Sequence, residues 1–158
     1  MKRGSTLFLK LALIIVSIPV LVLCVVGGNW LVNHPVNPDF AHILYPIIIG
    51  MYVSVIPFYM AFYQAFKLLN YIDRNQAFSQ ISVAALTKIK YSAIIFSIVY
   101  VVIIPFVYIV AELDDAPGLI IIGAIPIFAS LVIAVFAAVL QKLLQEAINI
   151  KSENDLTV

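Results

Sequence analysis

The sequence predicts an all-α integral membrane protein: a four-helix bundle with both termini in the cytoplasm and a short amphipathic interfacial helix before the third span. Three observations predict this fold: the apolar composition, four long uncharged segments, and the collection of the basic residues on one side of those segments. Of the 158 residues, 64% are hydrophobic and 11% are charged, whereas a soluble domain is about 45–50% apolar and about 25% charged. This composition excludes an ordinary soluble domain.

The four spans are predicted from runs of about 20 apolar residues, the length that crosses ~30 Å of hydrocarbon. They cover residues 7–28, 46–69, 91–111 and 117–141, in a single domain over 1–158. Pro46 and Pro117 suit the first positions of helices, where a missing N–H costs nothing. The first span follows Lys2 and Arg3 as a signal peptide would, but residues 26–28 make a poor cleavage site, so we expect it to be retained.

The orientation follows from the basic residues, which collect in cytoplasmic segments of membrane proteins. All nine lysines and arginines fall in or beside three segments, 1–6, 70–90 and 142–158, and the loops between spans one and two and between spans three and four have none. This asymmetry predicts that both termini and the middle loop are cytoplasmic.

The cytoplasmic segments carry organised apolar positions. In the middle loop, Asn75 suits a turn, Ser79 suits a helix N-cap, and the residues that follow predict the amphipathic helix at the inner leaflet. Spans two and four keep an apolar stripe past their first lysines, so we expect them to project from the membrane. The candidate partner-binding residues on this side are Leu69, Ile72, Phe78, Leu144 and Ile148.

Each span contains a proline well inside it, at Pro19, Pro57, Pro105 and Pro126. Proline removes a helical hydrogen bond and kinks the helix, so these four are candidate hinges, with Pro57 the first choice. The alternative is that proline is simply frequent in membrane helices.

The two loops without basic residues hold four carboxylates: Asp39, Glu112, Asp114 and Asp115. They are a candidate outer surface for a cation or a cationic peptide, although loops on that side also avoid Lys and Arg for topological reasons. No metal site is predicted, because His34, Asp39 and His42 in the first loop do not have the spacing of a tight ligand set.

A resemblance covers nearly the whole chain. The residues from Ile72-Asp73 to Ala77-Phe78-Ser79, the segment 85–90, and the tail from Ala147-Ile148 onward resemble the family catalogued as domain of unknown function 2975. The resemblance implies a small four-span protein of the bacterial inner membrane, of undefined activity. Because members are often encoded beside a small helix-turn-helix regulator, it also implies a cytoplasmic DNA-binding protein as a partner.

No enzymatic function is predicted, and no cofactor. Cys24 has no ionisable neighbour in sequence, and no phosphate-binding loop or metalloprotease pattern occurs. A net charge of +1 also argues against direct binding of nucleic acid. We expect a membrane sensor or tether that regulates a cytoplasmic partner. One alternative is a small passive pore formed by a homo-oligomer. The other is an immunity or envelope-stress protein that binds cationic peptides at the acidic loops.

Overall fold

A computed structural model describes residues 3–156, which form four helices. They are α1 (Arg3–Asn33), α2 (Ala41–Asp73), α3 (Gln80–Leu113) and α4 (Gly118–Leu156). Each is long and apolar enough to cross a membrane, which confirms the all-α, four-span prediction. Lys2 of the predicted charge asymmetry, and the tail residues Thr157 and Val158, lie outside the described residues.

The helices are longer than the predicted spans. α1 has 31 residues and α4 has 39, which at ~1.5 Å per residue is about 46 and 58 Å, more than a ~30 Å hydrocarbon core requires. α2 begins at Ala41, so Pro46 lies in its second turn and not at its start, whereas Pro117 directly precedes α4. We therefore expect some helical turns to lie outside the bilayer.

Within residues 3–156, close backbone approaches join only helices that follow each other in the chain: α1 with α2, α2 with α3, and α3 with α4. The α2–α3 and α3–α4 contacts are extensive, and α1 touches α2 more sparsely. The four helices thus form an open series with α2 and α3 inside it and with α1 and α4 as its edges. We call the end with the start of α1 and the end of α4 the termini end, and the opposite end the loop end.

Small residues allow α3 to approach its two neighbours closely. A Cβ added to Gly50 on α2 would stand 2.5 Å from Cδ1 of Ile103, and one added to Gly123 on α4 would stand 3.0 Å from Cδ1 of Ile104. Ser54, Ser92, Ala93, Ser97, Ser130, Ala134 and Ala137 are buried in the same core. In lipid, where apolar burial gives helices little drive to associate, such close backbone packing is a main source of stability.

The amphipathic segment before the third span is present, and it is continuous with α3 rather than a separate helix. α3 runs without a break from Gln80 to Leu113, since no glycine or proline interrupts residues 80–90. Its apolar positions Val83 and Leu86 are buried in the fold. This segment therefore packs against protein, where we had expected it to lie on the leaflet.

Candidate functional site

An apolar groove opens at the termini end between the last turns of α2, the first turns of α3 and the last third of α4. Its volume is about 390 Å³. It is lined by Leu68, Ile72, Ala77, Phe78, Leu86, Leu140, Leu143, Leu144 and Ala147, and we call it the termini groove. Phe78 at its rim is 60% exposed.

Three of the five candidate partner-binding residues, Ile72, Phe78 and Leu144, meet in this groove. Leu69 is buried, at 9% exposed, and belongs to the core. Ile148 is half-buried one turn beyond Leu144 and does not line the groove. Sequence reasoning missed Leu68 and Leu143, although both stand in the Lys-Leu-Leu sequences that follow spans two and four.

A tight turn places Phe78 at the rim. Asn75 has φ 58°, the left-handed conformation that asparagine tolerates at a helix end. Gln76 donates its backbone N–H to the Tyr71 carbonyl at 2.7 Å and Asn75 donates to Ile72 at 3.2 Å, the two bonds of a Schellman motif. Ser79 is the N-cap of α3 as predicted, but its hydroxyl donates back to the Gln76 carbonyl at 2.5 Å and does not cap the helix.

A polar contact joins the start of α1 to the end of α2 beside this turn. Lys10 Nζ lies 2.8 Å from Asp73 Oδ2, and the Thr6 hydroxyl donates to Asp73 Oδ1. A carboxylate in the last turn of a helix is disfavoured by the negative end of the helix dipole. The lysine of α1 offsets that cost, so Asp73 fixes α1 against α2 at this end. Sequence reasoning did not predict this contact.

Basic residues stand close in sequence to the residues that line the termini groove. Arg74, Lys88 and Lys142 are exposed, and Lys90 and Lys67 lie over the rings of Tyr91 and Tyr63 at 4.8 and 5.0 Å from the centroids. Lysines at such positions mark the water-facing boundary of a membrane protein. Ile72 and Phe78 lie between Lys67 and Lys88 in the sequence, and Leu144 follows Lys142, so we expect this part of the groove to face water and not hydrocarbon.

The four candidate hinge prolines lie inside uninterrupted helices. Pro57 is buried, Pro126 is half-buried, and Pro19 and Pro105 are exposed. Hydroxyls bond to backbone carbonyls close to three of them: Ser130 to the Pro126 carbonyl at 2.7 Å, Ser54 to the Met51 carbonyl at 2.6 Å and Ser17 to the Ile14 carbonyl at 2.8 Å. The role of these prolines as hinges stays a prediction.

The candidate outer carboxylates all lie at the loop end, and each is exposed: Asp39, Glu112, Asp114 and Asp115. Asp114 borders a small cavity of about 120 Å³ with Phe40 and Leu113, so the two loops meet there. Among the described residues no three of the His, Cys, Asp and Glu side chains are grouped to hold a metal ion. His34 instead stacks on Trp30, with 5.2 Å between ring centroids.

Two tyrosines bind α1 to α2 along the apolar part of the fold, a role that sequence reasoning missed. Tyr52 donates its hydroxyl proton to the Cys24 carbonyl at 2.7 Å, and Tyr59 donates to the Ser17 carbonyl at 2.8 Å. On the α3 side, Ser54 Oγ lies 3.3 Å from the Tyr100 hydroxyl. The aromatic residues on adjoining positions of span two were the signal in the sequence for these bonds. The sequence does not give their hydrogen-bond partners, because those depend on how the helices pack.

Two comparisons with known proteins found relatives of this chain. A family model described as "Protein of unknown function (DUF2975)" matches residues 30–158. The chain is also 58% identical to the "Uncharacterized membrane protein YoaS" of Bacillus subtilis (strain 168), over the whole of both chains. The chain belongs to the DUF2975 family. No solved structure matches it.

The resemblance of the loop and tail motifs to DUF2975 is thereby confirmed, and this is a membrane protein. The DUF2975 match contains every residue of the termini groove and all four outer carboxylates. It contains only the last residues of α1. The groove therefore belongs to the part of the chain that the family model describes.

Proposed function

We propose that this DUF2975 protein is a multi-pass protein of the bacterial inner membrane that tethers and regulates a soluble protein on its cytoplasmic side. The observation that carries the proposal is the termini groove, an apolar concavity whose lining residues stand close in sequence to the exposed basic residues Arg74, Lys88 and Lys142. Apolar surface that faces water and is rimmed by polar residues is typical of protein docking sites. The role requires no catalysis and no cofactor.

The groove suits an amphipathic helix of the partner. Such a helix buries its apolar face in a hydrophobic groove, and Ile72, Phe78 and Leu144 are placed to receive it. Acidic residues on the flank of that helix would complement Arg74 and Lys142. A small helix-turn-helix DNA-binding regulator, the partner that the family resemblance implies, is our candidate.

The proposed regulatory mechanism is a two-state helix series that hides or presents the groove. The groove is shared by α2, α3 and α4, so a change of helix angle at Pro57 or Pro126 would alter its width. A ligand that binds one state better would then control the partner.

Photo-crosslinking from position 78 and identification of the captured protein test the proposal. Co-purification of that protein with groove variants is then measured. We expect capture by the wild type and at least a tenfold loss in Ile72→Asp and Leu144→Asp, since each places a charge in an apolar contact. Ile150→Asp is the matched control, because Ile150 is 66% exposed on α4 outside the groove. If both groove variants fold and retain the partner, the groove is not the docking site.

A further inference from the structure

A second groove runs between α1 and α2, on the termini half of the two helices. Its volume is about 450 Å³, within the range of about 300–1,000 Å³ that small-molecule sites occupy. Leu13, Ile14 and Ser17 form the α1 wall, and the α2 wall is formed by Tyr59, Phe62, Tyr63, Phe66, Lys67 and Asn70. We call it the edge groove, because α1 is an edge of the helix series and packs closely on α2 alone.

The α2 wall changes character along its length. Its members recur every three or four residues and so share one helix face. The four residues nearer the membrane centre are aromatic, and the two nearer the termini end, Lys67 and Asn70, are polar. From Tyr59 to Asn70 the helix rises about 16 Å, close to half of the ~30 Å hydrocarbon core. The edge groove therefore spans one leaflet, with its polar end at the interface.

Among the described residues, one positive charge at the polar end has no carboxylate partner. Lys67 lines this end with its ammonium 5.0 Å from the Tyr63 ring centroid, and the Lys10 ammonium lies 5.7 Å from the ring centroid of Phe66, which also lines the groove. Asp73 pairs with Lys10 at 2.8 Å. The ion pairs among the described residues leave Lys67 without a carboxylate, and it stands one turn from the Asn70 amide on the same helix face.

We propose that the edge groove binds one anionic phospholipid of the leaflet at the termini end. An acyl chain lies along Leu13, Tyr59 and Phe62, and the lipid phosphate receives hydrogen bonds from Lys67 and Asn70. Basic pockets between transmembrane helices bind acidic headgroups in this way. The sparse α1–α2 packing leaves the groove open to the bilayer, so a lipid enters from the side. This site is separate from the termini groove and does not depend on the proposed docking function.

Native mass spectrometry of the whole protein, extracted from vesicles of equal parts phosphatidylglycerol and phosphatidylcholine, tests the proposal. We expect the wild type to retain phosphatidylglycerol in preference to phosphatidylcholine. Lys67→Gln should reduce that preference about fivefold, since a lysine near the headgroups contributes on the order of a factor of five to acidic-lipid affinity. Lys88→Gln is the matched control, because Lys88 is an exposed lysine at the same end that lies outside the edge groove.

A second variant tests the acyl-chain part of the site. Leu13→Trp fills the edge groove without changing charge, so it should lower the retained amount of both lipids to a similar extent, while Lys67→Gln lowers phosphatidylglycerol more than phosphatidylcholine. Three results would overturn the proposal: no lipid preference in the wild type, equal losses in the Lys67 and Lys88 variants, or undiminished lipid retention in a folded Leu13→Trp protein.

Discussion

Lys10 and Asp73 stand 63 positions apart in the chain and form an ion pair of 2.8 Å that joins the first turns of α1 to the last turn of α2. Both side chains are about four-fifths buried, at 18% and 20% exposed. Thr6 donates a further hydrogen bond to the same carboxylate. Since α1 packs closely on α2 alone, this contact is one of few that position the first helix.

Replacing Asp73 with alanine is expected to lower the free energy of unfolding by about 1–3 kcal/mol, because it removes charge-assisted bonds and leaves the largely buried Lys10 without its carboxylate partner. Equilibrium unfolding in mixed micelles by a denaturing detergent would measure the loss. Asp155→Ala is the control: Asp155 is exposed at the same end, and surface substitutions change stability by only about 0.5 kcal/mol. Equal effects of the two variants would contradict a structural role for the pair.

The hydroxyls of Tyr52 and Tyr59 should contribute additively to the free energy that keeps α1 packed on α2. Hydrogen bonds between membrane helices average about 0.6 kcal/mol, so the double variant Tyr52→Phe/Tyr59→Phe should lose about 1 kcal/mol and a few degrees of melting temperature. The single cysteine, Cys24, provides the readout, because a thiol-reactive dye labels it as α1 detaches. Tyr45→Phe serves as the control. If the double variant has the same melting temperature as Tyr45→Phe, the two hydroxyls contribute nothing to stability.

Gly50 should tolerate no larger side chain while Ile103 stays in place. Gly50→Val is expected to destabilise the protein by about 1–3 kcal/mol through overpacking, because a Cβ there meets Ile103 at 2.5 Å. Ile103→Ala should restore part of this loss in the double variant. Gly118→Val is the matched control, since a Cβ at Gly118 meets no atom within 4 Å. If Ile103→Ala does not restore stability in a folded double variant, the side chain at position 50 clashes with a residue other than Ile103.

The predicted orientation can be tested in intact cells. In a Cys24→Ala background, Ser152→Cys should resist a membrane-impermeant maleimide, and Asn37→Cys should react with it, because the basic residues are retained on the cytoplasmic side. Labelling of the Ser152→Cys variant in intact cells would show that the topology is the reverse of the predicted one. The proposed docking site would then face outward.

Much of the fold could be predicted from the chain itself. The four helices follow from apolar runs that must satisfy their backbone hydrogen bonds internally in lipid. Asn75 and Ser79 were predicted correctly at a turn and an N-cap, since those preferences are local. Leu69 was expected on a docking surface and is buried, because periodicity assigns a residue to an apolar stripe without saying which protein surface will cover it.

The amino-acid sequence by itself determined the number of helices, the position of the apolar segment within each of them and the family, because each depends on composition or on residues that are close in the chain. Only the tertiary structure decided that the helices pack in an open series, that Lys10 meets Asp73, and that Ile72, Phe78 and Leu144 share one groove. Those relationships depend on the rotation and spacing of helices, which close contacts such as Gly50 with Ile103 set, and many arrangements satisfy the same apolar pattern.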